Sequence, residues 1–372
     1  MVLADRAPFP RDKVCGDALI PDSLHALGRL GLLEAVRRVA HGVGAVRIYA
    51  PNGRYTTLRG ECACVPRAVF DDMLRASAID AGAVVLSPLR ALGPLEEDGV
   101  VVGARFGTAG DRAEVDIRAG ITMLATGAAA EVLRRFDVCL YAAASATAAR
   151  MYVQVDDVAA REHDYLCVAY ASGICPGYGW IFPGPDCVFN VGVGYVYGRH
   201  APRERNVRKL LDRFLTTFAP AARLMKSARR LGPLKGAPLR TAMKGARLSR
   251  PGVLVIGEAA GLTYSFSGEG IGKAMQSGIL AAEVAAASLS GANPAVTAAA
   301  TYARRLPAAF GERVRAYDRL QRIVAAPGIA NALIWRAESG TYVRSQLHAL
   351  LNETGRADGL LTLSGFARAL LT

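Results

Sequence analysis

The chain has 372 residues, of which 52% are hydrophobic and 21% are charged, so a disordered protein is excluded. Its net charge of +13 suits an Arg-rich surface, an anionic substrate such as a diphosphate, or contact with anionic lipid. No basic run is interleaved with aromatic residues and no zinc or helix-turn-helix spacing occurs, so no nucleic-acid partner is expected.

Cysteine usage predicts a reduced protein. The seven cysteines have no paired C-x-x-C spacing; they are Cys15, Cys62, Cys64, Cys139, Cys167, Cys175 and Cys187. We therefore expect a cytoplasmic protein with neither a disulfide framework nor a metal site. No signal peptide and no uncharged apolar run of about 18 residues is visible, so a membrane span is not expected, while peripheral membrane contact stays open.

The first residues are predicted to be the end of a strand. Residues 2–4 are apolar, and Asp5 follows them as an outward-facing carboxylate. In dinucleotide-binding folds such an acidic residue binds the adenosine ribose, roughly 20 residues beyond a G-x-G-x-x-G turn. Counting back from Asp5 places that turn before Met1. We therefore expect the chain to begin inside the second strand of a Rossmann unit, with its first strand, glycine turn and helix absent.

Residues 8–17, which read P-F-P-R-D-K-V-C-G-D, are predicted to form a loop. Two prolines stiffen the approach, and Cys15 and Gly16 make a small, flexible corner. A helix is predicted at residues 22–39, where leucines form an apolar face. Taken alone, the segment is typical of an ordinary connection before a helix.

A hairpin and a helix are predicted next. Residues 43–58 alternate loosely around a P-N-G turn, which indicates a hairpin. Residues 66–80 form a helix with one apolar side and with Arg67 in its first turn. The helix dipole disfavours a cation there, so an isolated Arg67 would be interpreted as a surface residue.

A small meander is predicted from three strand-like segments, at residues 83–86, 100–106 and 115–117. Polar turns at residues 96–99 and 108–111 separate the segments. A further strand at residues 121–124 then ends in an A-T-G turn that contains Thr126 and Gly127.

Composition changes over residues 139–247, where alternating patterns predict an antiparallel sheet. Three of its strands are predicted at residues 151–155, 166–170 and 188–195. At its centre the Y-G-W-I-F-P run places Tyr178, Trp180 and Phe182 at alternate positions, hence on one face of a strand. Three aromatic residues so close together are either core packing or a wall for an apolar substrate.

Residues 252–281 combine a strand, small residues and a glycine-rich helix start. The apolar run at residues 253–256 predicts a buried parallel strand that ends at Gly257. Gly268 and Gly270 then open a helix, whose N-terminus suits a phosphate or an electron-rich ring oxygen. The segment is not a Walker loop, because the required first glycine and the Ser or Thr that binds magnesium are both replaced.

Residues 300–372 are predicted to be helical, with a break at residues 327–328. Arginines crowd part of this region. It is either an amphipathic cap whose charges face water or a basic rim for a diphosphate or for lipid headgroups.

Several of these motifs, in chain order, resemble the signatures of the geranylgeranyl reductase family of FAD-dependent oxidoreductases. They are the F-P-R-D-K-x-C-G-D loop, the R-x-x-F-D helix, the A-T-G turn, the Y-G-W-I-F-P strand and the G-E-A-A-G and S-G-E-G-I segment. That segment resembles the second flavin fingerprint of the p-hydroxybenzoate hydroxylase fold, with Glu258 in place of the usual Asp.

The resemblance implies an α/β fold with α+β elements, in which a Rossmann-like FAD domain is interleaved with an antiparallel-sheet substrate domain. The FAD domain would comprise residues 1–44, 61–138 and 246–299, the substrate domain residues 45–60 and 139–245, and a C-terminal helical region residues 300–372. The implied activity is reduction of carbon–carbon double bonds in a polyprenyl, geranylgeranyl-type substrate. FAD would be the cofactor, and NAD(P)H or another reductant would be the electron donor.

The resemblance also implies roles for individual residues. The FAD-binding residues would be Asp5, Cys15, Gly16, Asp17, Arg67, Thr126, Gly127, Gly257, Glu258, Gly268, Gly270 and Ile271. The substrate, a hydrophobic small molecule with or without a diphosphate head, would contact Tyr178, Trp180 and Phe182. Cys15 would be the catalytic residue, as a proton donor or as a contact that shapes the site.

Two alternatives are kept. A flavin-dependent monooxygenase or halogenase has the same fold, but the halogenase W-x-W-x-I-P motif is not visible and hydroxylases lack the Y-G-W-I-F-P strand. The other alternative is a truncated, non-catalytic homologue that binds FAD poorly. Without a glycine turn for its ADP half, FAD would lose several kcal/mol of charge-assisted hydrogen bonding.

Overall fold

The computed structural model describes residues 1–108, 113–141, 144–197, 206–355 and 359. The strands are β1 Val2–Ala4, β2 Ala18–Leu19, β3 His41–Tyr49, β4 Tyr55–Cys64, β5 Val84–Leu86, β6 Leu89–Glu97, β7 Val100–Thr108, β8 Glu114–Arg118, β9 Thr122–Leu124, β10 Ala146–Gln154, β11 Leu166–Ala169, β12 Tyr178–Pro183, β13 Val188–Val196, β14 Arg229–Arg230, β15 Lys235–Leu239, β16 Ser249–Arg250 and β17 Val253–Val255. The helices are α1 Pro21–Arg29, α2 Leu33–Arg37, α3 Arg67–Asp80, α4 Ala130–Arg135, α5 Asp157–Glu162, α6 Val207–Thr217, α7 Ala219–Ser227, α8 Ile271–Ser288, α9 Pro294–Val324, α10 Pro327–Ser339 and α11 Tyr342–Leu351.

The main sheet is mostly antiparallel and contains the Y-G-W-I-F-P strand at its centre. Its order is β14-β10-β13-β12-β11-β3-β4-β2, and β15 also pairs with β10. Within it, β12 pairs antiparallel with both β11 and β13, while β3 and β11 run parallel. A Cβ atom on Gly179 would lie 2.5 Å from the Phe214 ring, so one face of β12 packs closely against α6. The predicted antiparallel sheet is confirmed.

The parallel pairing of β9 and β17 brings the turns that follow these two strands to the same edge of their sheet. Strand β9 pairs parallel with β17, with Thr122 beside Val253 and Leu124 beside Val255. The turns that follow the two strands therefore leave the sheet at the same end. The predicted strands at residues 121–124 and 253–256 are confirmed within one residue, and the three β17 residues are fully buried.

Two predictions for the first third of the chain are wrong. The single helix expected at residues 22–39 is two helices, α1 and α2, because Gly31 has a φ of +72° and ends the first helix in a left-handed turn. Strand β5 is not part of the meander but pairs parallel with β1. The meander consists of β6, β7 and β8. Pro94 and two register shifts in β6 interrupt its alternation, which is why the sequence pattern missed it. Part of the turn expected at residues 108–111 lies outside the described residues.

The other predicted elements are confirmed with small changes in their bounds. The hairpin is formed by β3 and β4, and the helix expected at residues 66–80 is α3. The predicted break in the C-terminal helices falls between α9 and α10, where Pro327 occupies the first turn of α10. Most of the residues after 355 lie outside the described part of the chain.

The apolar core forms where the main sheet, the parallel pairs and the C-terminal helices meet. One buried cluster joins β9 and β17 to α8 and α9, and a second lies between the main sheet and helices α6 and α7. The first of these clusters includes Leu254, Val284 and Leu306, all almost fully buried. None of the helices in the described ranges is both long and apolar enough to cross a membrane. No disulfide joins any two of the seven cysteines, all of which are described.

Candidate functional site

A cavity of about 380 Å³ lies among the main sheet, the carboxyl ends of β9 and β17, and the start of α8. Most of the residues implied by the resemblance line it, namely Cys15, Gly16, Asp17, Arg67, Gly127, Tyr178, Trp180, Phe182, Gly257, Glu258, Gly268, Gly270 and Ile271. Asp5 and Thr126 do not line it. Segments far apart in the chain therefore converge on one space.

The aromatic residues of β12 form one wall of this cavity. Trp180 is stacked on Phe182 with ring centroids 6.3 Å apart, and Tyr178 is 6.1 Å from Trp180. The Cys15–Gly16 corner lies directly on this wall, because a Cβ atom on Gly16 would be 3.0 Å from the Phe182 ring. The wall and the corner thus belong to one surface.

Asp17 holds the corner in place through buried hydrogen bonds. Its Oδ2 accepts from the Tyr152 hydroxyl at 2.5 Å and from Asn190 Nδ2 at 2.8 Å. The same Asn190 nitrogen donates to the Cys15 carbonyl at 2.7 Å, and Asn190 Oδ1 accepts from Trp180 Nε1 at 2.9 Å. Burial raises the pKa of Asp17 to about 6, although both hydrogen bonds lower it. Asp17 therefore connects the loop to the aromatic wall.

Arg67 is not a surface residue. Its guanidinium makes two hydrogen bonds to Asp71, at 2.6 and 2.8 Å, and its side chain is 12% exposed. Burial lowers the Arg67 pKa, but neighbouring Cys15 and Asp71 raise it overall, so the guanidinium stays charged. Arg11 bridges Asp71, which lines the cavity, and Asp5, which does not, at 3.0 and 3.1 Å.

Glu258 is a buried carboxyl surrounded by cations. Burial raises its pKa, whereas the charges of Lys13, Arg67 and Arg240 lower it. Its Oε1 accepts from the Arg240 backbone N–H at 3.3 Å, and its Oε2 lies 3.5 Å from the position of a Cβ atom on Gly127. Burial and the Arg67 charge lower the pKa of Lys13, which also lines the cavity. Lys13 was missed as a site residue although it lies within the F-P-R-D-K-x-C-G-D loop, whereas no pattern in the sequence distinguishes Arg240, which contacts Glu258, from other basic residues.

The backbone at the start of α8 forms a cradle that side chains would fill. A Cβ atom on Gly268 would lie 2.0 Å from the Tyr178 hydroxyl oxygen, and one on Gly270 would lie 2.7 Å from Thr263 Oγ1. Close backbone approach and a helix N-terminus fit the polar edge of a flavin ring. Thr126 Oγ1 is buried and has no hydrogen-bond partner among the described residues, but Thr126 does not line the cavity.

The aromatic surface extends further than β12. Tyr170 is 5.8 Å from Phe266, which in turn is 6.0 Å from Tyr317, measured between ring centroids. The Tyr178 hydroxyl donates to the Ser267 carbonyl at 2.6 Å and so ties β12 to the turn before α8. These residues come from separate elements, and nothing in their local sequence relates them.

No protein-family model matches the chain, but sequence comparison identifies similar proteins. The chain is 31% identical over 258 residues to the digeranylgeranylglycerophospholipid reductase of Methanoculleus marisnigri. The aligned region covers 67% of this chain and 62% of that protein. The chain thus spans less than two thirds of this relative. It is also 28% identical over 306 residues to the menaquinone reductase of Mycolicibacterium smegmatis, which covers 76% of this chain and 70% of that protein.

Solved structures share the fold. A geranylgeranyl bacteriochlorophyll reductase-like protein of Thermoplasma acidophilum superposes with a TM-score of 0.77 at 22% identity, over 99% of this chain and 89% of that one. The flavin-dependent brominase Bmp2 superposes with a TM-score of 0.72 at 19% identity, over 94% of this chain and 86% of that one. At these identities the likeness concerns the fold alone.

Proposed function

Since the chain belongs to the geranylgeranyl reductase family of FAD-dependent oxidoreductases, we propose that it binds FAD and reduces carbon–carbon double bonds of a polyprenyl substrate. One observation carries the proposal. The C-G-D corner, the β12 aromatic wall and the glycine cradle of α8 line a single cavity. A planar cofactor and an apolar chain can be held against each other in such a space.

The rest of the cavity supports an apolar substrate. Its lining away from the cradle is largely aliphatic and aromatic, and includes Val46, Ile48, Leu58, Leu166, Val168, Leu347, Leu350 and Leu351. An isolated double bond is unpolarised and offers no group for a hydrogen bond. Positioning and exclusion of water are therefore the main contributions of the protein.

The cofactor-binding roles follow from the position of each group. We assign the flavin's polar edge to Gly268, Gly270 and Ile271, where the α8 dipole favours negative charge. Glu258 would accept hydrogen bonds from the polar chain of FAD, and Arg67 would donate hydrogen bonds to it. When bound, FAD supplies the hydride for the reduction, and an external reductant such as NAD(P)H replenishes it.

Cys15 is assigned to the reacting end of the substrate. It lines the cavity, its corner rests on the aromatic wall, and its side chain neighbours the Arg67 guanidinium. The thiol is either a proton donor or a contact that shapes the site. A Cys15→Ser variant that binds flavin and turns over normally would remove it from the catalytic roles.

A flavin-dependent monooxygenase or halogenase is the competing function, since the brominase shares the fold. The decisive experiment supplies purified protein with FAD, a reductant and geranylgeranyl substrates under strict anaerobiosis. A reductase gives saturated product without oxygen, whereas a monooxygenase or halogenase gives product only when oxygen is admitted. Failure to bind FAD at all would favour the non-catalytic alternative.

The names of the relatives guide the choice of substrates. One is named for a digeranylgeranyl glycerophospholipid and another for menaquinone. A geranylgeranyl diphosphate, a prenylated glycerophospholipid and a menaquinone should be tested side by side, with product mass reporting the number of bonds reduced. We also propose peripheral membrane contact, to be tested by co-sedimentation with anionic and neutral vesicles.

A further inference from the structure

A buried ion cluster lies beneath the start of α8. Lys273 is 1% exposed, and its Nζ is 3.1 Å from Asp22 Oδ2 and 2.7 Å from Glu353 Oε2. Arg313 adds a second cation, 2.8 Å from the same Glu353 oxygen. The cluster joins α1, α8, α9 and the segment after α11.

Glu269 is the third carboxyl of this cluster, and unlike Lys273 it lines the cavity. One oxygen of each of Glu269, Asp22 and Glu353 lies within 4.8 Å of the others. Glu269 Oε1 accepts from the Gly272 N–H at 2.7 Å. Its Oε2 is buried and has no hydrogen-bond partner in the described part of the chain.

The charges of the cluster leave one carboxyl without a cation. Lys273 pairs with Asp22 and Glu353, and Arg313 pairs with Glu353, so two cations neutralise two carboxylates. Glu269 has no ion pair of its own within the described ranges. Burial and the neighbouring carboxylates of Asp22 and Glu353 raise the pKa of Glu269 well above its usual range. The Lys273 ammonium lies within ion-pair distance of two of the three carboxylates, Asp22 and Glu353, and its charge lowers the pKa of Glu269 without offsetting the rise.

The remaining groups that face Glu269 do not change this balance. Burial raises the pKa of Tyr264 and of Tyr317, so both phenols are neutral at physiological pH. Burial lowers the pKa of Lys273, but the surrounding carboxylates raise it overall, so the ammonium persists. Burial also raises the pKa of Asp22, although the Lys273 charge lowers it. Asp22 and Glu353 each have a cation within ion-pair distance, so we place the exchangeable proton of the cluster on Glu269, which lines the cavity and has none within the described ranges.

We propose that Glu269 is the proton donor of the reduction, an inference that rests on the function proposed above. The π bond of the alkene would break; one carbon would take a hydride, which bound reduced FAD would supply, and the other would take the Glu269 proton. Glu269 is left as a carboxylate, which the Gly272 N–H and the positive end of α8 stabilise, and water then reprotonates it. Cys15 retains the role of shaping the site.

The test separates a proton donor from a helix cap. In Glu269→Gln the amide oxygen still accepts from Gly272, but the carboxyl proton is gone. The matched control is Glu283→Gln, the same change within α8, the helix that follows Glu269; the exposed Glu283 pairs with Arg29 and Arg305. Glu269→Asp serves as the conservative variant.

Infrared spectroscopy of the purified protein gives a readout that needs no turnover. At a pH of about 8, above the pKa of Asp17, the wild type and the Glu283→Gln variant should share a protonated-carboxyl C=O band that shifts in D₂O, and the difference spectrum should show that Glu269→Gln lacks this band. A wild-type spectrum without a protonated-carboxyl band, or wild-type and Glu269→Gln spectra with no band between them in the difference spectrum, overturns the proposal whether or not the protein is a reductase.

Turnover gives the second readout, with FAD affinity measured alongside. Glu269→Gln should bind FAD normally and lose at least a hundredfold in the anaerobic rate of alkene reduction. Glu269→Asp should recover part of the rate, and Glu283→Gln should match the wild type. The wild-type rate should fall as Glu269 ionises at high pH. An unchanged Glu269→Gln rate overturns the proposal, whereas an inactive wild type that binds FAD and keeps the infrared band counts against the proposed reductase only.

Discussion

At the scale of single residues, Asp17 has both an unfavourable backbone conformation and a buried carboxyl. Its backbone is left-handed, with a φ of +67°, and its carboxyl is 3% exposed. Such a conformation is costly for a residue other than glycine, and the Tyr152 and Asn190 hydrogen bonds offset that cost. The left-handed backbone of Asp17 is locally unfavourable, but it positions the adjacent Cys15–Gly16 corner against the aromatic wall.

The pKa of Asp17 predicts a pH dependence of stability. Because the native protein holds this proton up to a pH of about 6 and the unfolded chain only to about 3.8, stability falls as pH rises between these values. Asp17→Asn removes this dependence, worth about 2 kcal/mol between pH 4.5 and 7.5. Urea unfolding at both values measures it. An equal effect of the substitution at both pH values would contradict the prediction.

Gly268 is predicted to be sensitive to a single methyl group. It has a φ of +67°, and an added Cβ atom would lie 2.0 Å from the Tyr178 hydroxyl oxygen. Gly53 is the matched control, since its φ is +84° but no atom lies within 4 Å of its Cβ position. Gly53→Ala should cost about 1 kcal/mol, from backbone strain alone. Gly268→Ala should cost clearly more and weaken FAD binding; equal unfolding free energies for the two variants would refute the clash.

At the scale of elements, the aromatic wall depends on glycines in the neighbouring strand. Trp180 on β12 lies opposite Gly192 on β13, and a Cβ atom there would be 2.2 Å from the indole. The G-x-G spacing of β13 therefore makes room for the indole to lie flat against the sheet. That position also allows Trp180 Nε1 to reach Asn190 Oδ1.

Two substitutions on β13 test this dependence. Gly192→Ala should destabilise the protein by about 2–4 kcal/mol, since the methyl also meets the Ala149 carbonyl oxygen at 2.5 Å. Gly194→Ala, two residues along the same face, meets its nearest atom at 3.9 Å and should be close to neutral. Unfolding free energy and tryptophan fluorescence provide the measurements. Similar losses in both variants would show that a general intolerance of β13, and not the indole, is responsible.

At the scale of the whole molecule, the site exists only where separate layers meet. The main sheet contributes the aromatic wall, the parallel strands β9 and β17 contribute their terminal turns, and α8 contributes its first turn. A polar contact joins two of these layers, since the Tyr178 hydroxyl on β12 donates to the Ser267 carbonyl in the turn before α8. A ligand that touches all layers should therefore stabilise the protein as a unit.

Thermal unfolding with added FAD tests this. At a free concentration of a hundred times its Kd, FAD should add about 2.7 kcal/mol to the free energy of unfolding. The gain should disappear in a variant that cannot hold the cofactor, and Gly268→Ala should reduce it at a fixed FAD concentration. A melting temperature that does not respond to FAD would support the non-catalytic alternative.

The sequence by itself determined the strands, the main helices and the motifs, because periodicity, small residues and turn residues are local properties. The C-G-D loop, the Y-G-W-I-F-P strand and the S-G-E-G-I helix start also predicted which segments contribute to the site. The sequence analysis did not predict that Gly31 divides residues 22–39 into two helices, and it missed strand β6. In each case a single glycine or proline changed the local geometry without a clear change in the hydrophobic pattern.

Only the tertiary structure decided what surrounds each site residue. Whether Arg67 is exposed depends on Asp71 and Cys15, and the proton on Glu269 depends on Asp22 and Glu353, which are distant in the chain. Burial and charge pairing are sums over neighbours in space, and a linear pattern does not contain them. For that reason the S-G-E-G-I motif could be found from the sequence, whereas the role of Glu269 within it as an acid could be inferred only from the fold.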